Sequence, residues 1–440
     1  MKKPAPITRR DFVKSSATAA VGASFVLPAF ARSVHVSHTD TLRVGLVGCG
    51  GRGTGAAQQA LNADPNAILT AAGDVFMDRV EGAMSGLRSS ERLAERIRVQ
   101  RADCFEGIDN YKQVIDSGVD VVLLATPPVF RPMHLRYAVE RGVHVFCEKP
   151  VAVDAPGIRS VLESARIARE KNLALVSGFC WRYHQPQREM YRRIHDGAIG
   201  DVRSVQTTYN TGPLGDVPRQ PGWSDLEWQL RNWKAFNWVS GDHIVEQAVH
   251  AIDWINWAFN GRMPARAFAV GGRQCRSGEW TGNMYDHFSV IYEYEGGARA
   301  YHMCRQIANC SNDNTAHLLG TKGTCSTNPW SPACVIEGEN PWRYERPRDE
   351  RGRPINPPDM YQQEHNELFA SIRSGEPIND GQWMTDSTML AILGREAAYT
   401  GQTITWEQMM ASTRSYTPTD WTTPERPFPP VPMPGQTRFE

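Results

Sequence analysis

Glu246, His250 and Asp253 recur at i, i+4 and i+7 within a segment, 240–254, whose other positions are mostly apolar. On one helix that spacing puts them on a common face, while Ile244, Val245, Val249, Ile252 and Ile255 cover much of the rest. Such a helix, capped by Ser240 or Asp242, is expected to be largely buried, so its ionisable groups must be paired or functional. Two readings stand for His250: a core histidine bonded to Asp253, or a group that moves a proton. The adjacent Asp242-His243 pair stands close enough to reach the same pocket. A His-x-x-Asp metal site lacks further ligands at a recognisable spacing, and no metal is expected. A second reactive element, Glu148-Lys149-Pro150, follows the strand expected over 143–147.

These groups need elements to hold them. Residues 42–47 read as a short buried strand that runs into Gly48-Cys49-Gly50-Gly51-Arg52-Gly53 and then into a helical stretch, 54–61. Strand before and helix after give this glycine pattern its dinucleotide-binding context. Gly48 permits the tight turn, Gly50 the approach of a pyrophosphate and Gly53 close helix–strand packing, and the helix N-terminus offers free N–H groups. A second strand, 68–72, leads to Asp74, 21 residues past Gly53. There a carboxylate usually accepts from a ribose 2′-OH, which favours NAD, although Arg79 keeps NADP open; a helix cap is the alternative role. A helix over 79–96, a strand at 97–99, a helix over 111–116 and a strand at 119–125, apolar but for Asp120, follow. A helix over 134–141 then leads to the strand 143–147, and this alternation predicts a doubly wound parallel sheet with its ligand at the strand C-termini.

At this point the order and spacing of the glycine loop, Thr126-Pro127 and Glu148-Lys149-Pro150 resemble the glucose–fructose oxidoreductase/inositol dehydrogenase (Gfo/Idh/MocA) family, over nearly all of 41–410. The resemblance implies an NAD(P)-dependent oxidoreductase acting on a CH–OH group, with Lys149 between nicotinamide and substrate, hydrogen-bonded to the reacting hydroxyl. It implies that His250 touches the substrate and exchanges a proton with Lys149. The family commonly carries Asp-x-x-x-His here, and this chain has Glu246, one methylene longer, in the acidic place. The catalytic set is thus Lys149, His250 and Glu246. The cofactor set is Gly48, Gly50, Gly51, Arg52, Gly53, Asp74, Thr126, Pro127, Glu148 and Lys149. To it is added Arg182, in a turn (178–184) that resembles the family's Arg-containing turn near the cofactor. Removal of a carbinol proton as hydride leaves calls for such a base, with a cation beside the developing alkoxide.

For the substrate, Trp228, Arg231 and Asn232 stand in a stretch, 223–238, where tryptophans alternate with polar groups. Flat rings suit sugar C–H faces and the polar groups its hydroxyls; packing of an insertion onto the core is the other reading. Asp242, His243 and Asp253 complete the expected substrate contacts. Alternating runs at 202–210, 265–272, 284–294, 298–304 and 316–319 read as antiparallel strands, with Gly296-Gly297 as a hairpin turn and helices at 362–374 and 385–400. The expected fold is therefore an N-terminal Rossmann domain, 41–150, joined through a helix at 155–171 to an α+β domain, 151–410, with an open, mainly antiparallel sheet. The resemblance implies a homo-oligomer built on that sheet. A proline-rich tail, 411–440, is unsuited to helix or central strand and wraps over its own domain or a neighbour.

The chain's start reads as an address. Arg9-Arg10 before Phe12, a small weakly apolar run at 15–27 and Ala29-Phe30-Ala31 make an export signal over 1–31, followed by a linker at 32–40. The paired arginines resemble the twin-arginine signal for folded cargo, so a periplasmic protein that loads its dinucleotide before export is expected. The alternative, a membrane anchor, suits the run poorly because it is short and rich in Gly, Ser and Ala. The 440 residues suit two domains, and 48 basic against 48 acidic side chains imply no attraction to nucleic acid. Nine cysteines without a CxxC pair speak against a zinc ribbon and a full disulfide framework. Three functions then compete: a sugar, glycoside or polyol oxidoreductase; a redox-neutral NAD-dependent glycosidase working through a keto-sugar; and a non-catalytic sugar or dinucleotide sensor, disfavoured because Lys149 and His250 are both present.

Overall fold

The computed structural model describes residues 40–331 and 333–440. The expected export signal, and all of the expected linker but Asp40, lie outside them.

Six parallel strands form the first sheet: β1 (Leu42–Val47), β2 (Ala67–Asp74), β3 (Cys104–Glu106), β4 (Val121–Leu124), β5 (His144–Cys147) and β6 (Leu175–Ser177). Their order is β3-β2-β1-β4-β5-β6. The chain reverses direction across the sheet between β1 and β4, and the crevice at their carboxyl ends is where such sheets bind ligands. All four β4 residues are buried, as a strand covered on both faces requires. The helices Gly51–Ala63, Met77–Arg88, Arg131–Arg141 and Ala155–Glu170 supply that cover. Since β6 pairs with β5, the sheet extends past the boundary expected at 150. The helix expected over 79–96 ends at Arg88, where the Ser89 hydroxyl bonds the Gly86 carbonyl at 2.7 Å. Residues 97–99 contribute only a bridge, Ile97 to Leu69, and β3 is the edge strand instead.

The second sheet has nine strands: β7 (Val202–Thr211), β8 (Arg266–Gly272), β9 (His287–Glu293), β10 (Arg299–Gln306), β11 (Ala316–Gly320), β12 (Gly323–Thr327), β13 (Val335–Gly338), β14 (Trp342–Arg343) and β15 (Ile404–Thr405). Their order is β14-β13-β12-β11-β7-β10-β9-β8-β15. All pairs are antiparallel but one. β7 and β10 run parallel, which the long excursion between them makes possible. Gly296 and Gly297, at φ 79° and 83°, make the β9–β10 turn. On the inner face Ala300, His302 and Cys304 are buried, whereas Val270 and Leu319 are 70% and 52% exposed on the outer face.

The helix Gly381–Thr400 ties both sheets together, with 17 of its 20 residues buried. Just before it, Asp380 accepts from Ser177 N at 2.9 Å and from the Tyr183 hydroxyl at 2.8 Å. Arg395 donates to the carbonyls of Val153, at 2.9 Å, and Gly241, at 3.1 Å. Buried carbonyls from distant segments thus share one donor.

From Ser412 on, the tail forms no helix or strand, and it wraps over its own chain. Trp421 stacks on Phe130 at 4.8 Å, and Phe428 meets Phe236 at 4.9 Å. Gln229 Nε2, Asn283 Nδ2 and the Tyr285 hydroxyl donate to the carbonyls of Arg426, Pro429 and Pro432 at 2.5, 3.0 and 2.9 Å. Removal of residues 417–440 strands these three donors at roughly 1 kcal/mol each. The urea midpoint should fall by the equivalent of about 3 kcal/mol; an unmoved midpoint would show that the tail adds nothing to stability.

Candidate active site

A cavity of about 500 Å³ opens at the carboxyl ends of β1, β2, β4 and β5, and second-domain residues close its far end. Its near end is the glycine turn. Gly48 has φ 96°, and a Cβ there would lie 2.6 Å from the Ala125–Thr126 backbone. A Cβ at Gly53 would overlap the Gly48 carbonyl, whereas Gly50 and Gly51 face open space. No side chain caps the helix Gly51–Ala63, which leaves its first-turn N–H groups without an intrahelical partner. The turn therefore fits a pyrophosphate. Asp74 lines the same space and accepts from Cys49 N at 2.7 Å and Phe76 N at 3.1 Å. Burial pushes its carboxyl up from the ordinary range, against those two bonds. Arg79 stands beside it in the wall.

Thr126 and Pro127 follow β4 and line the cavity. They are held from behind by Arg131, a buried residue that donates to the Thr126 carbonyl at 2.7 Å and also to the Pro150 carbonyl. One guanidinium thus clamps the loops after β4 and β5. Glu148, 3% exposed, forms an ion pair with Arg52 at 3.1 Å, and its other oxygen accepts from Lys149 N at 3.1 Å. Arg52 lies over the Tyr361 ring, 5.0 Å from its centroid.

The helix expected to run unbroken through 240–254 is two helices, His243–Glu246 and Val249–Ala258. At the break, His250 N bonds the Gln247 carbonyl at 3.3 Å instead of the carbonyl four residues back. The freed Glu246 carbonyl accepts from Lys149 Nζ at 2.5 Å, and the Glu246 carboxylate lies 3.6 Å from the same amine. A carbonyl left open at a helix end is a natural seat for a cation. His250 stacks on Trp181 with ring centroids 4.9 Å apart and lines the cavity. Burial, then the charge of Lys149, hold its imidazole well below the usual 6.5, so it rests as the free base.

Of the expected residues, the structure brings Gly48, Gly50, Gly51, Arg52, Gly53, Asp74, Thr126, Pro127, Glu148, Lys149, Glu246, His250 and Arg231 to this cavity. Arg231 is already engaged there, by Glu227 at 2.9 Å and Asp78 at 3.1 Å. The others are placed elsewhere. Arg182 makes a bidentate pair with Asp253 at 2.8 Å, packed on Trp257 and Trp383, and Ser387 also donates to Asp253 at 2.6 Å. Neither lines the cavity, because each satisfies the other's buried charge. Asp242 accepts from Tyr285 N at 2.9 Å and the Tyr399 hydroxyl at 2.5 Å. That anchoring sustains its left-handed backbone, φ 71°. His243 is buried against Phe288, and burial holds it well below 6.5. Trp228 donates to the Val217 carbonyl at 2.9 Å and packs on Phe236 and Trp280. Asn232 bridges Val217 N and the Trp280 carbonyl. These last two brace the segment before β8 rather than face a ligand.

Sequence reasoning missed Arg131, Tyr209, Gln247 and Tyr361, all in the cavity wall. Tyr209 lies near the inner end of β7, and alternation along that strand was its only signal. Tyr361 comes from the helix Met360–Ser374, which packs on the first domain, and nothing local announces that contact.

Comparison with known proteins agrees with this geometry. Residues 42–179 match the family model described as "Oxidoreductase family, NAD-binding Rossmann fold", and 187–326 match the "GFO/IDH/MocA C-terminal domain". The chain is 25% identical over 261 residues to the mouse trans-1,2-dihydrobenzene-1,2-diol dehydrogenase, spanning 58% of this chain and 69% of that one. It is 35% identical over 159 residues to inositol 2-dehydrogenase 4 of Saccharopolyspora erythraea, spanning 36% of this chain and only 42% of that relative. The aldose-aldose oxidoreductase from Caulobacter crescentus, solved with glycerol, shares the fold at 20% identity and a TM-score of 0.64, covering 83% of this chain and all (100%) of that one. With both domain models matched in order, the chain belongs to the GFO/IDH/MocA family of NAD(P)-dependent oxidoreductases.

Proposed function

We propose that this protein interconverts a secondary alcohol of a sugar or polyol with the corresponding ketone. The observation that carries the reading is the meeting of Lys149 Nζ, the Glu246 carboxylate and a free-base His250 at the far end of a cavity whose near end fits a dinucleotide pyrophosphate. A nicotinamide in that cleft supplies the acceptor or donor of the hydride. In the oxidative direction the neutral imidazole takes the hydroxyl proton while the Lys149 ammonium stabilises the alkoxide as it forms. In the reductive direction the same pair returns a proton to the carbonyl oxygen. Relatives named for an aldose, an inositol and a dihydrodiol support the substrate class.

Two extensions belong to the same proposal. Arg9-Arg10 and the run after them support export in the folded state through a twin-arginine route to the periplasm. The outer sheet face, with Val270 and Leu319 more than half exposed and Phe268 and Met303 at 37% and 38%, supports pairing with a second copy.

A panel of D-glucose, D-galactose, myo-inositol and their ketones, followed through the near-ultraviolet absorbance of NADH or NADPH, tests the activity. Silence across it with cofactor bound counts against the proposal. Lys149→Ala should lower kcat about 10³-fold and leave NADH affinity within roughly threefold, since the Lys149 amine is held on the Glu246 carbonyl and not at the glycine turn; equal turnover refutes its role. Because His250 is held below 6.5, oxidation should lose its base only on acidification below that pH. An acid limb of kcat at or above 6.5 would exclude this imidazole as the base. Replacing Arg9 and Arg10 by lysine should keep the protein in the cytoplasm; unaltered periplasmic recovery would remove the export route.

A further inference from the structure

We propose that Gln247 is a substrate-binding residue that acts only as a hydrogen-bond donor, with Gln306 and Arg276 as its positioning residues. The inference rests on the sugar or polyol reading above and adds what the substrate must present. Gln247 lines the cavity beside Glu246 and His250, at the break between the two short helices. An amide side chain normally offers either edge to a ligand. Here that freedom is removed from a distance.

The relay begins at a group with one polarity. A guanidinium has five N–H donors and no acceptor. Arg276 donates through Nε to the Tyr285 carbonyl at 3.1 Å and through Nη2 to Gln306 Oε1. Gln306, 2% exposed, is anchored further by its own backbone N–H on the Asp286 carbonyl at 2.9 Å. With its oxygen turned to Arg276, its NH₂ must face the other way, and it donates to Gln247 Oε1. The oxygen of Gln247 is thereby committed, and the edge left for the cavity is its NH₂. A flip of either amide would set donor against donor, so orientation follows from the arginine.

Glu246, the preceding residue, presents the opposite polarity, an acceptor-only carboxylate. The pair offers a donor and an acceptor side by side next to Lys149 and His250. This suits a substrate with a vicinal diol, in which the neighbouring hydroxyl donates to Glu246 and accepts from Gln247. A substrate without an oxygen beside the reacting carbon leaves both groups unpaired.

The test uses the full-length mature protein and the member of the sugar panel that turns over, with its monodeoxy analogue at the neighbouring carbon. Gln247→Glu keeps the oxygen that Gln306 needs and removes the donor; it should raise KM about tenfold or more. Gln306→Leu and Arg276→Met should raise KM severalfold with kcat within about twofold and NADH affinity unchanged, and each should add nothing on top of Gln247→Ala. The deoxy analogue should lose affinity in the wild type and much less in Gln247→Ala. A Gln247→Ala variant with wild-type KM, or effects of Gln306→Leu that multiply with it, overturns the proposal while the oxidoreductase reading stands. A wild type that binds NADH yet turns over no sugar or polyol overturns both.

Discussion

The bond from Lys149 Nζ to the Glu246 carbonyl is the contact on which the site depends. It joins residues 97 positions apart, one at the end of a parallel strand, the other at the end of a four-residue helix. The acceptor exists only because the helix breaks. In an unbroken helix His250 N would take that carbonyl; here it turns to Gln247, and the amine occupies the vacated position. One irregularity therefore places the lysine, brings His250 to the cavity and couples the two domains. The helix Gly381–Thr400 and Arg395 hold the surrounding segments in register, so that this alignment is a property of the packed core rather than of a loop.

The cofactor half was legible because its requirements fall on the backbone and on neighbours in sequence. Gly48 must turn with positive φ, Gly53 must lie against the Gly48 carbonyl, and the helix must begin uncapped. Each condition is met within one strand–turn–helix unit. Asp74 was placed by counting along the next strand. The misplaced strand at 97–99 and the overlong helix before it show where the reasoning weakens: an edge strand of three residues, β3, carries too little pattern to be distinguished from its loops.

The substrate half was legible only in part, for a different reason. A buried polar residue must be paired, but sequence does not say whether its partner is a ligand or another side chain. Arg182 and Asp253, separated by 71 residues, neutralise each other. Asp242 is consumed by Tyr285 and Tyr399, and Asn232 by Val217 and Trp280. All four look as functional in sequence as His250 does, and only the partners separate them. The tryptophans divide the same way: Trp228 and Trp238 are buried in a small apolar core, while Trp233 reaches the cavity.

That division also accounts for a longer side chain at 246, where the family pattern has aspartate. If the acidic side chain were what fixed the lysine, an added methylene would move the amine. The shorter contact is instead to the carbonyl, 2.5 Å against 3.6 Å for the carboxylate. Any residue at 246 supplies a carbonyl, so the position of Lys149 is insulated from the side chain chosen there. The carboxylate is then free to vary without disturbing the amine, or the imidazole that lines the same cavity.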